Sequence, residues 1–341
     1  MNSRCIKASR CAANRRQFIA GAAVLASAAL AAPAIGQART RLRLGHLHVV
    51  AVDGHIWTGL DRGSFDREGI DFELHEFNTG PEIFEAMARG ELDVLSAGGV
   101  ISNYLALGRG RGFLINDIEV ATAQLWVRPA LGVSRLADLK GKRIATTMKT
   151  TAHIFLDRAL RANNINPSEV EIVNSSMTAA VKAFIAGEVP AVALWVPFNM
   201  AVHEALPDAI KLVDASAFYP QSAVLGGWAA RSDYFADNRE ILSRIIRAWT
   251  DANDYMVRSP TAAAEALQRG YYQQSRPADI AEAFKAQKLY SSREWKRLYS
   301  DGTVVKWLQQ VSDFFMADAG ITKALHASDY FDTQLYLTTV A

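Results

Sequence analysis

Cysteine is almost missing from this sequence: its 341 residues hold two, Cys5 and Cys11, both close to the start. The remainder therefore has no disulfide framework, no thiolate nucleophile and no cysteine-ligated metal. A charge excess of one sign is also missing, with 37 basic residues against 35 acidic. Without a polybasic stripe to meet phosphates, nucleic acid is not expected as a partner. After residue 38 no apolar run reaches the roughly 20 residues that a bilayer span needs. Low-complexity stretches are absent too. What is left, 50% hydrophobic and 21% charged, reads as an ordinary globular chain.

The first 38 residues differ from the rest. Arg4, Lys7, Arg10, Arg15 and Arg16 occur there without an acidic residue, followed by an alanine-rich apolar run from Ile19 to Ile35 and then Gly36-Gln37-Ala38. A basic start, a weakly apolar core and small residues at the end predict an export signal cleaved near Ala38. Asn14-Arg15-Arg16-Gln17-Phe18-Ile19 resembles the twin-arginine type, with Asn14 and Ala20 departing from its pattern, so the general secretory route stays open. Removing this segment leaves 32 basic residues against 35 acidic, and no cysteine. The expected product is a free monomeric protein in the periplasm.

About 300 residues exceed what one hydrophobic core organises, so two lobes are expected. Leu42 and Leu44 alternate with Arg41 and Arg43, and Phe72 and Leu74 alternate with Asp71, Glu73 and His75, which is the period of a strand. Between them Ile56 to Glu68 can form a helix. Thr79-Gly80-Pro81-Glu82 then offers a cap hydroxyl, a proline for the first turn and a glutamate at capping-box spacing. Ile83, Phe84, Met87 and Ala88 fall on one helical face, and Asp93 to Ala97 forms the next strand. Short strands alternating with helices predict an α/β fold of parallel-type sheets wrapped by helices.

This unit occurs twice. Phe84 to Val94 is echoed by Val181 to Ala191, each a helix, a Gly-Glu stop and a strand. Arg143 to Thr147 and the helix from Thr151 to Asn163 match the units upstream of the first copy. Beyond Arg231 helices dominate, over 239–258, 261–269, 277–288 and 304–316, and these are expected to pack on the first lobe.

Leu139-Lys140-Gly141-Lys142-Arg143-Ile144-Ala145, then Thr150-Thr151-Ala152-His153-Ile154-Phe155-Leu156, then Ala193-Leu194-Trp195-Val196-Pro197 resemble segments of the extracytoplasmic solute-binding proteins of ABC importers. The branch is the NMT1/THI5-like one, which includes binding proteins for aliphatic sulfonates, taurine, nitrate and thiamine-precursor pyrimidines. The likeness runs from about Leu42 to Arg231 and more loosely to the end. It implies a two-lobed periplasmic-binding-protein fold of type II with two hinge crossings, placed near Gln124 to Val133 and near Ala223 to Arg231. Lobe one would then comprise 39–130 and 229–341, and lobe two 131–228. The implied partners are a small organic anion, sulfonate-like above others, and an inner-membrane permease with its ATPase.

Physics places the ligand beyond the carboxyl ends of the strands, where helix N-termini present free N–H groups. His48 to His55, with Asp53 among them, Asn78-Thr79-Gly80, Gly98-Gly99 and Lys149 to His153 occupy that position. Candidate ligand contacts are therefore His48, Asp53, His55, Asn78, Thr79, Gly98, Gly99, Thr150, Thr151 and His153, with Trp195 and Trp228 as aromatic walls. Glycines there either admit a tight turn or let amides approach an anion, and the threonines either cap a helix or touch the ligand. Some relatives carry an aspartate at the position of Val196, and Val224 to Trp228 holds no carboxylate, so a ligand without an amine is expected.

Three alternatives accompany this reading. His46, His48 and His55 could bind Zn²⁺, although no carboxylate cluster completes a shell, and neither metal nor cofactor is expected. Enzymes that make pyrimidine precursors resemble the same fold; His153 as a base, or Asp53 paired with His55, would serve catalysis, yet no nucleophile, base and orienting group share a spacing, and no enzymatic activity is expected. The lobes could instead be read by a membrane sensor.

Overall fold

A computed structural model describes residues 39–221, 223–318 and 322–340. The export signal expected over residues 1–38 lies outside the described residues.

Strand β1 (Thr40–Leu47) leads through helices α1 (Val50–Asp61) and α2 (Ser64–Arg67) into β2 (Ile70–Phe77). The chain continues through α3 (Gly80–Ala88), β3 (Val94–Ala97), α4 (Ile101–Ala106) and β4 (Arg111–Ile118). A second series follows: β5 (Ala123–Val127), β6 (Arg143–Thr146), α5 (Thr151–Ala162), β7 (Glu171–Asn174), α6 (Met177–Ala186), β8 (Ala191–Trp195), α7 (Phe198–Ala205) and β9 (Ile210–Asp214). Then β10 (Leu225–Ala230) precedes α8 (Ser232–Asp237), α9 (Arg239–Arg258), α10 (Pro260–Gly270), α11 (Pro277–Ala286), α12 (Ser292–Ser300), α13 (Thr303–Asp318), α14 (Ala327–Tyr330) and α15 (Thr333–Thr339).

Two five-stranded sheets result, ordered β2-β1-β3-β10-β4 and β7-β6-β8-β5-β9. The orders are the same if β6, β7 and β8 are set against β1, β2 and β3, so the repeated unit read from the sequence is a repeated piece of architecture. The sheets are mixed rather than wholly parallel. In the first, β1 runs parallel to β2 and β3, while β10 opposes both β3 and β4; in the second, β5 opposes β8 and β9. The reason is connectivity. β4 ends at the edge where the parallel strands end, and the chain passes from there straight into the second sheet, so β5 must enter against its neighbours. β9 and β10 repeat the manoeuvre in return.

The strand pairing also moves the expected boundaries. Ala123–Val127 belongs to the second sheet, not to a lobe ending at residue 130, and Leu225–Ala230 lies wholly in the first. The passages between sheets are therefore 119–122 and the stretch between Asp214 and Leu225, a few residues before the positions expected for both.

One core surrounds the first sheet and takes in the C-terminal helices, including Trp249 of α9, Trp295 and Tyr299 of α12 and Tyr336 of α15. Two smaller cores cover the faces of the second sheet, built around Phe155 and Leu160 of α5 and around Phe184 and Val192. The helix expected from Ile56 starts six residues earlier and breaks at Gly63, whose φ of 64° is left-handed. In α3 the Thr79 hydroxyl accepts from the Glu82 amide and the Glu82 carboxylate accepts from the Asn78 amide, with Pro81 in the first turn. Ala86 rather than Ala88 joins Ile83, Phe84 and Met87 in the core.

Asn116 ties the first sheet to its helices. Its side-chain oxygen accepts from the indoles of Trp228 (2.7 Å) and Trp249 (3.1 Å), and its amide group donates to Ser96 Oγ and to the Val52 carbonyl. A β-bulge sits at this point, where Gly226 pairs with Asp117 and Gly227 with Ile115, so Asn116 is the extra residue on β4. Bulges re-aim side chains, and this one buries Asn116 among four elements besides its own strand.

Candidate functional site

A cleft lies between the sheets at the carboxyl ends of their parallel strands. It contains about 590 Å³ of non-atom space, part of it open to solvent, and Leu47, Val52, Asn78, Gly98, Glu119, Trp195 and Val196 are among its lining residues. Val49, Thr79 and Thr150 line it as well, and these are the residues that precede the first turns of α1, α3 and α5. Three helix N-termini of eight residues or more therefore open on one space. Each leaves first-turn N–H groups without helical carbonyls to meet, and each carries the positive end of its dipole.

Of the twelve residues singled out in the sequence, six line the cleft: Asn78, Thr79, Gly98, Thr150, Thr151 and Trp195. Trp195 ends β8 and meets Phe198 edge-on at 5.8 Å. Thr150 does not cap α5 with its side chain; its hydroxyl donates to the Thr147 carbonyl at 2.6 Å. Thr79 does cap α3.

Gly98 and Gly99 serve a purpose that spacing alone left open. A Cβ on Gly98 would stand 2.8 Å from Glu119 Oε1, and one on Gly99 would stand 2.0 Å from Val224 Cγ1. The Gly99 amide does meet an acceptor, but it is the protein's own carboxyl: it donates to Glu119 Oε1 at 2.7 Å. Gly99 is thus occupied, and it is not among the cleft-lining residues.

The remaining five lie off the cleft lining. Trp228 is fully buried with its indole N–H on Asn116, so it is a core residue of the first sheet. His55 does not pair with Asp53. It is fully buried, shares a hydrogen bond with Asn253 (3.1 Å) and stacks on Trp249, and burial lowers its pKa to about 4. Asp53 is also fully buried, accepting from the Trp57 indole (2.7 Å) and the Tyr272 hydroxyl and facing His46 and His48 at 3.3 and 3.2 Å. His48, raised above its usual range chiefly by its hydrogen bond to Asp53, stacks on Tyr272 and lines a neighbouring depression with Tyr271 and Pro197. His153 is buried in the first turn of α5, with the Lys149 amide 3.4 Å from its Nδ1. Among the described residues no group of three histidine, cysteine or acidic side chains converges as a metal site would require.

Sequence reasoning missed Glu119. It sits in the first passage between the sheets, 5% exposed, and accepts from the Gly99 amide and from the Thr122 hydroxyl (3.0 Å), with a further hydroxyl contact from Thr151. Thr151 belongs to α5, so this carboxyl joins the two sides of the cleft. Asp117 lies beside it, fully buried. Burial pushes both carboxyls up, and repulsion from Glu119 pushes Asp117 further. A carboxylate was sought at 196 and 224–228, and the cleft obtains one from elsewhere. The available signal was three polar residues, Asn116, Asp117 and Glu119, in an otherwise apolar strand end, Phe113 to Val120.

Two mixed sheets exchanged through two passages, with a cleft at their strand ends, define the periplasmic-binding-protein fold. The alkanesulfonate-binding protein SsuA of Xanthomonas axonopodis pv. citri, solved bound to MOPS, superposes with a TM-score of 0.69 at 21% identity, covering 86% of this chain and 99% of that one. The sequence model described as NMT1/THI5 like matches residues 54–263, and the chain belongs to that family. It is 25% identical over 271 residues, 80% of this chain and 83% of the relative, to a Brucella abortus (strain 2308) protein named only as a candidate binding protein. Over 197 residues, 56% of this chain and 59% of the relative, it is 28% identical to the taurine-binding periplasmic protein of Escherichia coli K12.

Proposed function

We propose that this protein is an extracytoplasmic solute-binding protein that captures a small organic anion of the sulfonate type between two lobes and delivers it to the permease of an ABC importer. The observation that carries the reading is the convergence of the first turns of α1, α3 and α5 on one cleft. Their first-turn amides offer an anionic head group several donors, and the apolar residues Leu47, Val52, Val100 and Val196 would cover an organic remainder. The relative named for taurine and the neighbour named for alkanesulfonates support the same ligand class. In this reading the two sheets with their helices are the lobes, the passages at 119–122 and between Asp214 and Leu225 are the hinges, and closure presents the permease with its docking surface. The chain would be exported to the periplasm and lose its first 38 residues. Binding, rather than catalysis, is the role proposed, because His48, His55 and His153 all lie off the cleft lining.

Thermal unfolding of residues 39–341 with alkanesulfonates, taurine, nitrate, aromatic acids and pyrimidines tests this. A ligand at 100 times its dissociation constant stabilises by about 2.7 kcal/mol, which raises the midpoint by a few degrees in a chain of this size. Stabilisation by one class of anion is the expected outcome; an unchanged midpoint with every anion would overturn the reading.

A further inference from the structure

Glu119 is the one ionisable side chain among the described residues that line the cleft. The hydrogen-bond donors to it are a backbone amide and two hydroxyls, all of them uncharged. Beside it Asp117 is fully buried, and among the described residues only the Gly226 backbone amide approaches its carboxyl, too poorly placed for a full hydrogen bond. Gly226 leaves it no slack, since a Cβ there would stand 2.7 Å from Asp117 Oδ1.

Two carboxyls this close in a desolvated site do not both ionise. The proton belongs on Asp117, which has the weaker set of donors, because the amide and hydroxyls around Glu119 favour its charged form. Negative charge at the floor of the cleft then falls on Glu119, whose hydrogen-bond donors are all uncharged. Such a charge is strongly unfavourable out of water. A carboxylate also has about four acceptor positions, of which the protein occupies three. An anion drawn to the helix N-termini would be repelled by this charge unless it brought a cation with it.

We infer that Glu119, backed by Asp117, is the seat of a cationic group of the ligand, so that the captured molecule carries a protonated amine besides its anionic head. This rests on the binding reading above and reverses the expectation of a ligand without an amine. Asp117 is a positioning residue: holding the shared proton, it leaves Glu119 as the charged partner.

The test compares ligand pairs that differ by an ammonium in place of a methyl group: taurine against propane-1-sulfonate, and β-alanine against butyrate, with ethylammonium alone as a further probe. Calorimetry on the purified protein is expected to show the aminated member of at least one pair bound about tenfold or more tightly. Glu119→Gln, checked for folding by its melting curve, is expected to remove that preference while the methyl member binds no more weakly. Equal or tighter binding of the methyl members to the wild-type protein would overturn the cation seat and leave the anion reading standing. Binding of no aminated probe at millimolar concentration also overturns it. If alkanesulfonates, nitrate and carboxylates fail as well, the solute-binding reading falls with it.

Discussion

Two tryptophans illustrate how differently one residue type is used here. Trp228 is buried in the first core with its indole N–H satisfied by Asn116, whereas Trp195 stands at the end of β8 with its ring on the cleft. Trp228→Ala should cost about 3–5 kcal/mol of stability through the cavity it leaves. Trp195→Ala should leave the urea midpoint nearly unchanged and weaken ligand binding. Paired urea titrations and binding isotherms check this, and equal stability losses in the two variants would contradict the assignment. His55 supplies a pH dependence whose sign follows from burial. Its folded-state pKa of about 4 lies below the ordinary value of 6.5, so between these the unfolded chain binds the extra proton and stability is lost as pH falls. The effect amounts to about 3 kcal/mol across that window. Asp117 and Glu119, both raised, act in the opposite sense and favour the folded state as pH falls. Comparing wild type with His55→Gln isolates the imidazole: the stability difference should shrink steadily from pH 6.5 to pH 4, and a constant difference would refute it.

At the scale of elements, helix starts and one irregular strand end do most to build the site. The α3 start was legible because Thr79, Pro81 and Glu82 each act locally. The α1 start was not, since Val49 caps without a side-chain hydrogen bond, and the helix is held instead by the Ser96 and Asn116 side chains donating to the Val52 carbonyl. Asn116 is exposed by the β4 bulge to four partners at once. Asn116→Leu leaves two indole N–H groups unpartnered in the core. It should cost about 3 kcal/mol or more, because each unsatisfied buried donor costs about 1–3 kcal/mol. Equilibrium unfolding in urea measures this. Since Val52 lines the cleft and α1 opens on it, the same variant should weaken ligand binding beyond its effect on stability.

At the scale of the molecule, the proposed function predicts hinge motion. Glu119 connects the Gly98-Gly99 loop of the first sheet to α5 beside the second, and it lies in one of the two passages. Ligand binding should therefore draw the lobes together, and small-angle X-ray scattering of residues 39–341 should record a smaller radius of gyration with saturating ligand. An unchanged radius under conditions where calorimetry records saturation would count against closure.

The sequence by itself determined the α/β class, the duplicated unit, the capped start of α3 and the loops from which the cleft is built, because strand period, helix period and capping chemistry act over a few neighbouring residues. It also placed the C-terminal helices at 239–258 and 261–269 to within a residue, since their apolar stripes and proline stops are local. Only the tertiary structure decided that β5 and β10 oppose their neighbours, that Trp228 and His55 point into the core, and that Asp117 and Glu119 meet at the floor of the cleft. Each of these depends on which residues become neighbours when two sheets exchange strands. Burial, which sets the state of His55 and of the carboxyl pair, is a property of that packing and not of spacing along the chain.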